Sequence, residues 1–159
     1  MIKLTYLIRK RPDLSDEEFL AFWRETHARL VESHAQTLRV KRYAMSARVE
    51  TVCNTCSSKV REVAICDYDG VIEFWWDTLE DHQAGAGSPA GLAAIDDLVG
   101  AERRFIDLSK SACFFTREEV IFDHTGRGTA KTPAKASKAK PQNSKHELSN
   151  ETSFPALIK

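Results

Sequence analysis

The stretch IKLTYLIRKRPDLSDEEFLAFWRETHARLV, residues 2–31, decides the fold because it changes from a strand pattern to a helix pattern across one short turn. Its first nine residues alternate between the two faces of a predicted strand. One face carries Ile2, Leu4, Tyr6 and Ile8, and the other carries Thr5 and Leu7. This strand is therefore predicted to have both faces at least partly covered.

The second half of the stretch has the signals of a helix start. Ser15 is a suitable N-cap, and Glu18 stands three residues later as its capping-box partner. The predicted helix continues to about His34. Its apolar stripe at the helical period consists of Phe19, Phe22, Trp23, Leu30 and Val31. His27 falls in the middle of that stripe, where a residue is expected to face the protein interior.

The rest of the chain completes a repeated strand and helix order. Residues 37–49 alternate as a second strand, and the long, poorly patterned segment 50–69 reads mostly as a connection, with room for a short helix. A third strand is predicted at residues 70–78, GVIEFWWDT. A helix with Ser88 as its N-cap is predicted at residues 88–106, SPAGLAAIDDLVGAERRFI. A fourth strand is predicted at residues 109–122, SKSACFFTREEVIF. The order β-α-β-β-α-β predicts an α+β protein of the ferredoxin-like kind, with a four-stranded antiparallel sheet and both helices on one face.

The third strand indicates a partner for the uncovered face of that sheet. Val71, Glu73 and Trp75 alternate with Ile72, Phe74 and Trp76, so both faces carry large apolar side chains. An exposed aromatic sheet face usually marks an interface. We therefore expect a homodimer in which two sheets face each other.

Composition limits the class of protein. The 159 residues are 42% hydrophobic and 29% charged, with a formal net charge of zero. Residues 124–159 hold seven Lys and Arg against two Glu and contain few residues able to form a core. We interpret residues 1–123 as the folded domain and 124–159 as a basic, low-complexity, disordered tail. The body is mildly acidic, which argues against nucleic-acid binding.

The sequence also carries expectations about location and cofactors. No apolar run is long enough to span a membrane, and the N-terminus lacks the pattern of a signal peptide, so a cytoplasmic protein is expected. Cys53 and Cys56 have metal-ligand spacing, but a second such pair is missing, and no metal site is predicted. AGAGSPAG lacks the glycine spacing of a nucleotide-binding loop. No cofactor is therefore expected.

Three separated blocks of the sequence together resemble the EthD-domain family. YLIRKRPDLSDEEFLAFWRETHARLV contains a W-R-x-x-H-x-x-L pattern, and YDGVIEFWWDTLED and AERRFIDLSKSACFFTREEVIF are similar to the family's third and closing strands. The resemblance covers roughly residues 2–122. It implies a dimeric α+β barrel, formed when two ferredoxin-like sheets pack face to face, with a pocket in each subunit.

The resemblance also implies a range of activities. Family members accompany degradative oxidations, and others are dehydratases of aromatic polyketide pathways. Relatives on the same barrel include polyketide cyclases, isomerases and quinol monooxygenases, but a shared fold does not fix the chemistry. The tail and the segment around Cys53 and Cys56 depart from what the family leads us to expect.

Six residues are candidates for a site. His27 aligns with the histidine of the family motif and is the candidate general acid or base, because imidazole titrates near neutral pH. Glu73 is a carboxylate among apolar neighbours, which is costly to bury unless it is paired. It has three possible roles: to orient His27, to act as a second acid or base, or to form an ion pair with Arg9, Arg42 or Arg104. The candidates for binding an aromatic substrate are Tyr6, Trp23, Tyr43 and Trp75.

The leading functional hypothesis is a cofactor-independent enzyme that moves protons on an aromatic or polyketide-like carbonyl compound. The reaction would be a dehydration, cyclisation or isomerisation. One alternative is a monooxygenase-like oxidoreductase, or an accessory protein of a degradative oxidation system. Another is a dimer that binds a small molecule without catalysis.

Overall fold

The structure, a computed structural model, describes residues 1–124 and has the predicted ferredoxin-like architecture. Residues 1–120 form one compact unit, and the next unit, from Ile121, has only its first four residues described. The elements are β1 (Ile2–Ile8), α1 (Asp16–Phe22), a π-helical turn (Trp23–His27), α2 (Ala28–His34), β2 (Arg42–Ala47), α3 (Val52–Arg61), β3 (Gly70–Trp76), α4 (Leu79–Ala86), α5 (Pro89–Glu102), a 3-10 turn (Leu108–Lys110) and β4 (Ala112–Arg117).

The four strands form one antiparallel sheet in the order β2-β3-β1-β4. Register assigns the faces, since Tyr6 of β1 lies opposite Ile72 of β3 and Cys113 of β4. The face that carries these residues packs against the helices and forms the main hydrophobic core. The opposite face, called here the open face, carries the alternate residues of each strand, among them Lys3 and Glu73.

The first helix starts at the predicted capping box. The Ser15 hydroxyl accepts a hydrogen bond from the Glu18 backbone N–H, and the Glu18 carboxylate accepts one from the Ser15 N–H. Its middle turn, Trp23–His27, is π-helical, with the Ala28 N–H donating to the Trp23 carbonyl. Such turns are short insertions within α-helices and are frequent at functional sites.

Trp23 fixes how the first helix lies on the sheet. Its side chain is fully buried and crosses Gly70 so closely that a Cβ at position 70 would lie 2.7 Å from the indole. Phe19 and Phe105 pack against the same indole at tilted angles, with ring centroids 5.4 and 6.5 Å away. The absence of a side chain at Gly70 is therefore what lets the helix approach β3.

The structure differs from the sequence prediction in its connections. β2 covers only Arg42–Ala47, because the first residues of the alternating segment form a turn after α2. The short helix for which the segment 50–69 has room is α3, which begins after the Thr51 N-cap and lies over one end of the open face. α4 was not predicted, since it contains few apolar residues from which a helical period could be read.

Two predictions concern other parts of the chain. Apart from His124, the proposed disordered tail at 124–159 lies outside the described residues. Within residues 1–124, none of the helices is long and apolar enough to cross a bilayer.

Candidate functional site

An apolar cavity of about 440 Å³ lies between the helix-covered face of the sheet, α4 and α5. Its size is in the range typical of small-molecule sites. Most of its wall is aliphatic or aromatic, with Leu4 and Phe74 on the sheet and Ile95 and Leu98 on α5. Its polar lining residues are Tyr6, His82, Glu102, Ser111 and Cys113.

Glu102 is the charged residue of this wall. It is the last residue of α5, and only 9% of it is exposed. Sequence reasoning missed it, although a signal was present. Ile95, Leu98 and Val99 precede it at helical spacing, so Glu102 continues an apolar stripe. A carboxylate on such a stripe, at the helix end that disfavours negative charge, is unusual enough to mark a functional position.

His27 lies directly behind Glu102 and is completely buried. Its Nε2 atom is 3.5 Å from Oε1 of Glu102, and its ring is 5.2 Å from that of Phe105. Nε2 has no hydrogen bond within residues 1–124, which is rare for a buried polar atom. The imidazole does not line the cavity itself, so it reaches a ligand there only through Glu102.

Tyr43 orients the imidazole. Its hydroxyl oxygen accepts a hydrogen bond of 2.9 Å from Nε1 of Trp23 and lies 3.3 Å from Nδ1 of His27. Because an indole N–H can only donate, the phenol hydrogen is not used by Trp23 and is available to donate to Nδ1. We therefore assign the proton of a neutral His27 to Nε2, on the side of Glu102. Trp23 and Tyr43, expected as substrate-binding residues, do not line the cavity.

The tyrosines near Glu102 are held in the neutral form. Burial raises the pKa of Tyr43 to about 12, and the negative charge of Glu102 acts in the same direction. Burial, assisted by Glu102, also raises the pKa of Tyr6 well above its usual range. Tyr6 does line the cavity, where a neutral phenol can donate a hydrogen bond to a ligand oxygen.

Glu73 and Trp75 do not join this group, because the register of β3 puts them on the open face. Glu73 pairs with Lys3, whose Nζ lies 2.8 Å from its carboxylate, so none of the three arginines considered as its partner is the one bound. The Trp75 indole N–H donates to Glu118, and the Arg42 guanidinium lies over its ring. The sheet therefore separates Glu73 from His27, and the expectation that Glu73 assists His27 is corrected.

The cysteines lie apart from the site, with the exception of Cys113 in the cavity wall. Cys53, Cys56, Cys66 and Cys113 are free and exposed. The part of the chain that the structure describes holds no cluster of three or more side chains suited to a metal ion. A cytoplasmic location remains a prediction.

The arrangement provides the components of acid and base chemistry. A carboxylate faces an apolar cavity, a buried imidazole lies 3.5 Å behind that carboxylate, and a neutral phenol lines the same wall. In such a setting a carboxylate can accept a proton from a bound molecule and return it at another atom.

Comparison with known families gives one match. The family model for the EthD domain matches residues 11–109, which is more than half of the chain. The matched range contains His27, Glu102 and the whole helical wall of the cavity. No curated protein matches the sequence significantly.

Solved structures give further likenesses. The chain is similar to an ethyl tert-butyl ether D family protein from Bacillus halodurans, at 16% identity and a TM-score of 0.50, covering 75% of this chain and 99% of that one. It is also similar to a dimeric protein of unknown function with a ferredoxin-like fold from Bacteroides fragilis, at 14% identity and a TM-score of 0.48, covering 74% and 95%. A third is SnoaB from Streptomyces nogalater, described as a cofactor-independent oxygenase, at 15% identity and a TM-score of 0.42, covering 76% and 98%. At these identities the likeness concerns the fold.

Proposed function

The chain belongs to the EthD-domain family, and from that premise we propose that it is a cofactor-independent enzyme that transfers protons on a hydrophobic carbonyl compound. The reaction class is dehydration, cyclisation or isomerisation, each of which starts by removing a proton from carbon next to a carbonyl group. One observation supports this proposal above the others: the Glu102 carboxylate faces an apolar cavity with the buried imidazole of His27 behind it.

Glu102 is the proposed catalytic residue because it lies in the cavity wall. A carboxylate in this position can take a proton from a bound carbon acid, because it lines the wall that a ligand in the cavity contacts. Tyr6, which remains neutral, is placed in the same wall to donate a hydrogen bond to the enolate oxygen that develops. The protonated Glu102 then returns its proton to carbon, or to a leaving hydroxyl group in a dehydration.

His27 is the proposed positioning residue of this pair. In the tautomer assigned above, the Nε2 proton lies on the side of Glu102, 3.5 Å from the carboxylate, so the imidazole supports the charged carboxylate without touching the substrate. In this proposal Glu102 takes the acid and base role that was expected of His27 from the sequence, and His27 acts through Glu102. Truncation of His27 should therefore lower kcat and leave KM nearly unchanged.

The test follows proton exchange directly and needs no natural substrate. 2-Tetralone, an aromatic ketone with acidic protons next to its carbonyl, is incubated in D2O under nitrogen with the full chain, and loss of the α-proton signals is followed by NMR. We expect exchange above the buffer rate in proportion to protein concentration. Glu102→Gln should lower the protein-dependent rate by roughly a hundredfold or more.

Controls separate this role from a loss of structure. Glu25→Gln changes an exposed glutamate of the first helix and should keep the full rate. His27→Gln should lower kcat without changing KM, and Tyr43→Phe, which removes the phenol that orients the ring, supplies the same measurement if His27→Gln does not fold. Exchange that is equal in Glu102→Gln and Glu25→Gln would refute the proposal. Oxygen consumption with a hydroquinone, in the absence of exchange, would support an oxidase instead.

We also propose that the protein is a homodimer that buries the open face. Phe114 of β4 lies on this face and is 50% exposed, and Leu7 and Val71 are partly exposed beside it. Phe114→Asp should convert a dimer into a monomer in light scattering, because it puts a charge into an apolar contact. Leu92→Asp, which changes a similarly exposed residue of α5, should remain dimeric. A wild-type chain that is monomeric at high concentration would refute the dimer.

A further inference from the structure

His82 is a second polar group of the cavity, for which the proposed chemistry has no use. It lies on α4 and lines the cavity together with Trp76. Its ring meets the edge of Trp76 with a centroid distance of 4.6 Å and lies 4.9 Å from Phe115. Neither ring nitrogen makes a hydrogen bond within residues 1–124, so both are available to a ligand.

The protonation state of His82 suits hydrogen bonding. Burial lowers the pKa of its imidazole below the usual value, so the ring is neutral at neutral pH. A neutral imidazole offers one donor and one acceptor, and it therefore matches a hydroxyl group or a carbonyl oxygen equally well. Its two aromatic neighbours hold the ring in place and make its environment apolar on those sides.

The sheet register gives the distance between His82 and the acid–base end. Tyr6 lies on one row of side chains, Leu4 and its partner Phe115 on the next, and Ile2 with its partner Trp76 on the one after. Each row is two residues farther along the strand. His82 contacts Phe115 in the second row and Trp76 in the third. These rows are two and four residues along the strand from Tyr6, so His82 lies roughly 7–13 Å from the row of Tyr6. The wall between these rows is formed by apolar side chains such as Leu4 and Phe74.

We infer that His82 is a specificity-determining residue, which binds a second oxygen at the far end of a flat, elongated substrate. The substrate class is then a carbonyl compound of at least two fused rings, with its reactive carbonyl near Tyr6 and Glu102 and a hydroxyl or carbonyl oxygen near His82. This inference rests on the proposed function for the direction of the substrate, but the presence of two polar ends follows from the cavity alone.

Two matched ligands test the inference. 2-Tetralone has one oxygen, and 6-hydroxy-2-tetralone adds a second at the opposite end of the fused rings. Dissociation constants are measured by calorimetry under nitrogen with the full chain. We expect the hydroxylated ligand to bind wild type roughly tenfold more tightly, as one added hydrogen bond allows.

Variants assign that preference to the residue. His82→Phe keeps an aromatic ring but cannot form the hydrogen bond, so it should bind both ligands equally. His82→Gln retains a donor and an acceptor and should recover part of the preference. His34→Phe, which changes a histidine on the first helix paired with Asp97, is the matched control and should keep the wild-type preference.

The outcomes separate the two proposals. A tenfold preference that survives in His82→Phe, or is absent from wild type, overturns the inference while leaving Glu102-dependent exchange untouched. A preference lost in His82→Phe, together with no proton exchange by wild type, supports the inference and overturns the proposed function. Failure of wild type to bind either ligand overturns both.

Discussion

Replacing Tyr43 by phenylalanine should expose how strongly the site depends on one hydroxyl group. That hydroxyl accepts from Trp23 Nε1 at 2.9 Å and lies 3.3 Å from Nδ1 of His27, and both neighbours are fully buried. Tyr43→Phe therefore leaves a buried donor and a buried acceptor without partners. The ring itself is retained, so packing against Phe74 should change little.

The expected magnitude follows from these two contacts. A buried donor left unpaired costs about 1–3 kcal/mol, and the longer contact to His27 adds about 1 kcal/mol. The phenylalanine offsets part of this because it no longer requires burial of a hydroxyl group. We expect a net loss of about 2–3 kcal/mol, a large part of the ~5–15 kcal/mol typical of a single domain.

Urea unfolding at equilibrium measures this loss, with the slope m unchanged if the native fold persists. Tyr68→Phe is the matched control, since the Tyr68 hydroxyl makes no hydrogen bond within residues 1–124, and its effect should stay within about 0.5 kcal/mol. In parallel, nitrogen NMR should show the His27 proton on Nε2 in wild type and a mixture of tautomers in Tyr43→Phe. Equal stability of the two variants, or a proton on Nδ1 in wild type, would refute the reasoning.

Three further predictions concern stability. Gly70→Ala should cost about 1–3 kcal/mol in urea unfolding, because its Cβ would lie 2.7 Å from the Trp23 ring, whereas Gly100→Ala, with open space around it, should be neutral or stabilising. The unfolding free energy should fall between about pH 10 and 12, by up to ~1.4 kcal/mol per pH unit for Tyr43, because its pKa is about 10 in the unfolded chain and higher in the folded one. This stability is fully present below pH 10, and an equal decline in Tyr43→Phe would contradict the assignment. Glu102→Leu should raise the Tm while abolishing proton exchange, since it replaces a nearly buried charge with an apolar side chain, and a lower Tm would count against that account.

Local pattern was sufficient for the fold because the four strands, the first helix and α5 are encoded by neighbours in sequence. The alternation of Ile2 to Ile8 gave β1, and the pairing of Ser15 with Glu18 gave the helix start to the residue. α4 escaped prediction since its few apolar residues carry no period, and it is defined instead by the Thr78 cap and its packing against α5. Sequence pattern alone is a weak guide wherever tertiary contacts rather than local preference form the element.

The site was predictable only in part. The helical period placed His27 among buried residues, and the structure indeed buries it completely. The same period could have marked Glu102, but nothing local indicates that two residues so far apart in sequence meet. The sequence also did not determine on which face of the sheet Glu73 lies. The strand β3 has large apolar side chains on both sides, and only its pairing with β1 decides which side meets the helices.

The sequence by itself therefore determined the four strands, the first helix, α5, their order and the family, since these depend on periodicity, caps and motifs that act over a few residues. The tertiary structure alone decided that Glu102 stands between His27 and the cavity, that Glu73 pairs with Lys3 on the opposite face, and that His82 completes the far wall. The physical reason is that a site is made of distances between separate elements. Sheet register and helix packing set those distances, and neither is encoded by any one segment.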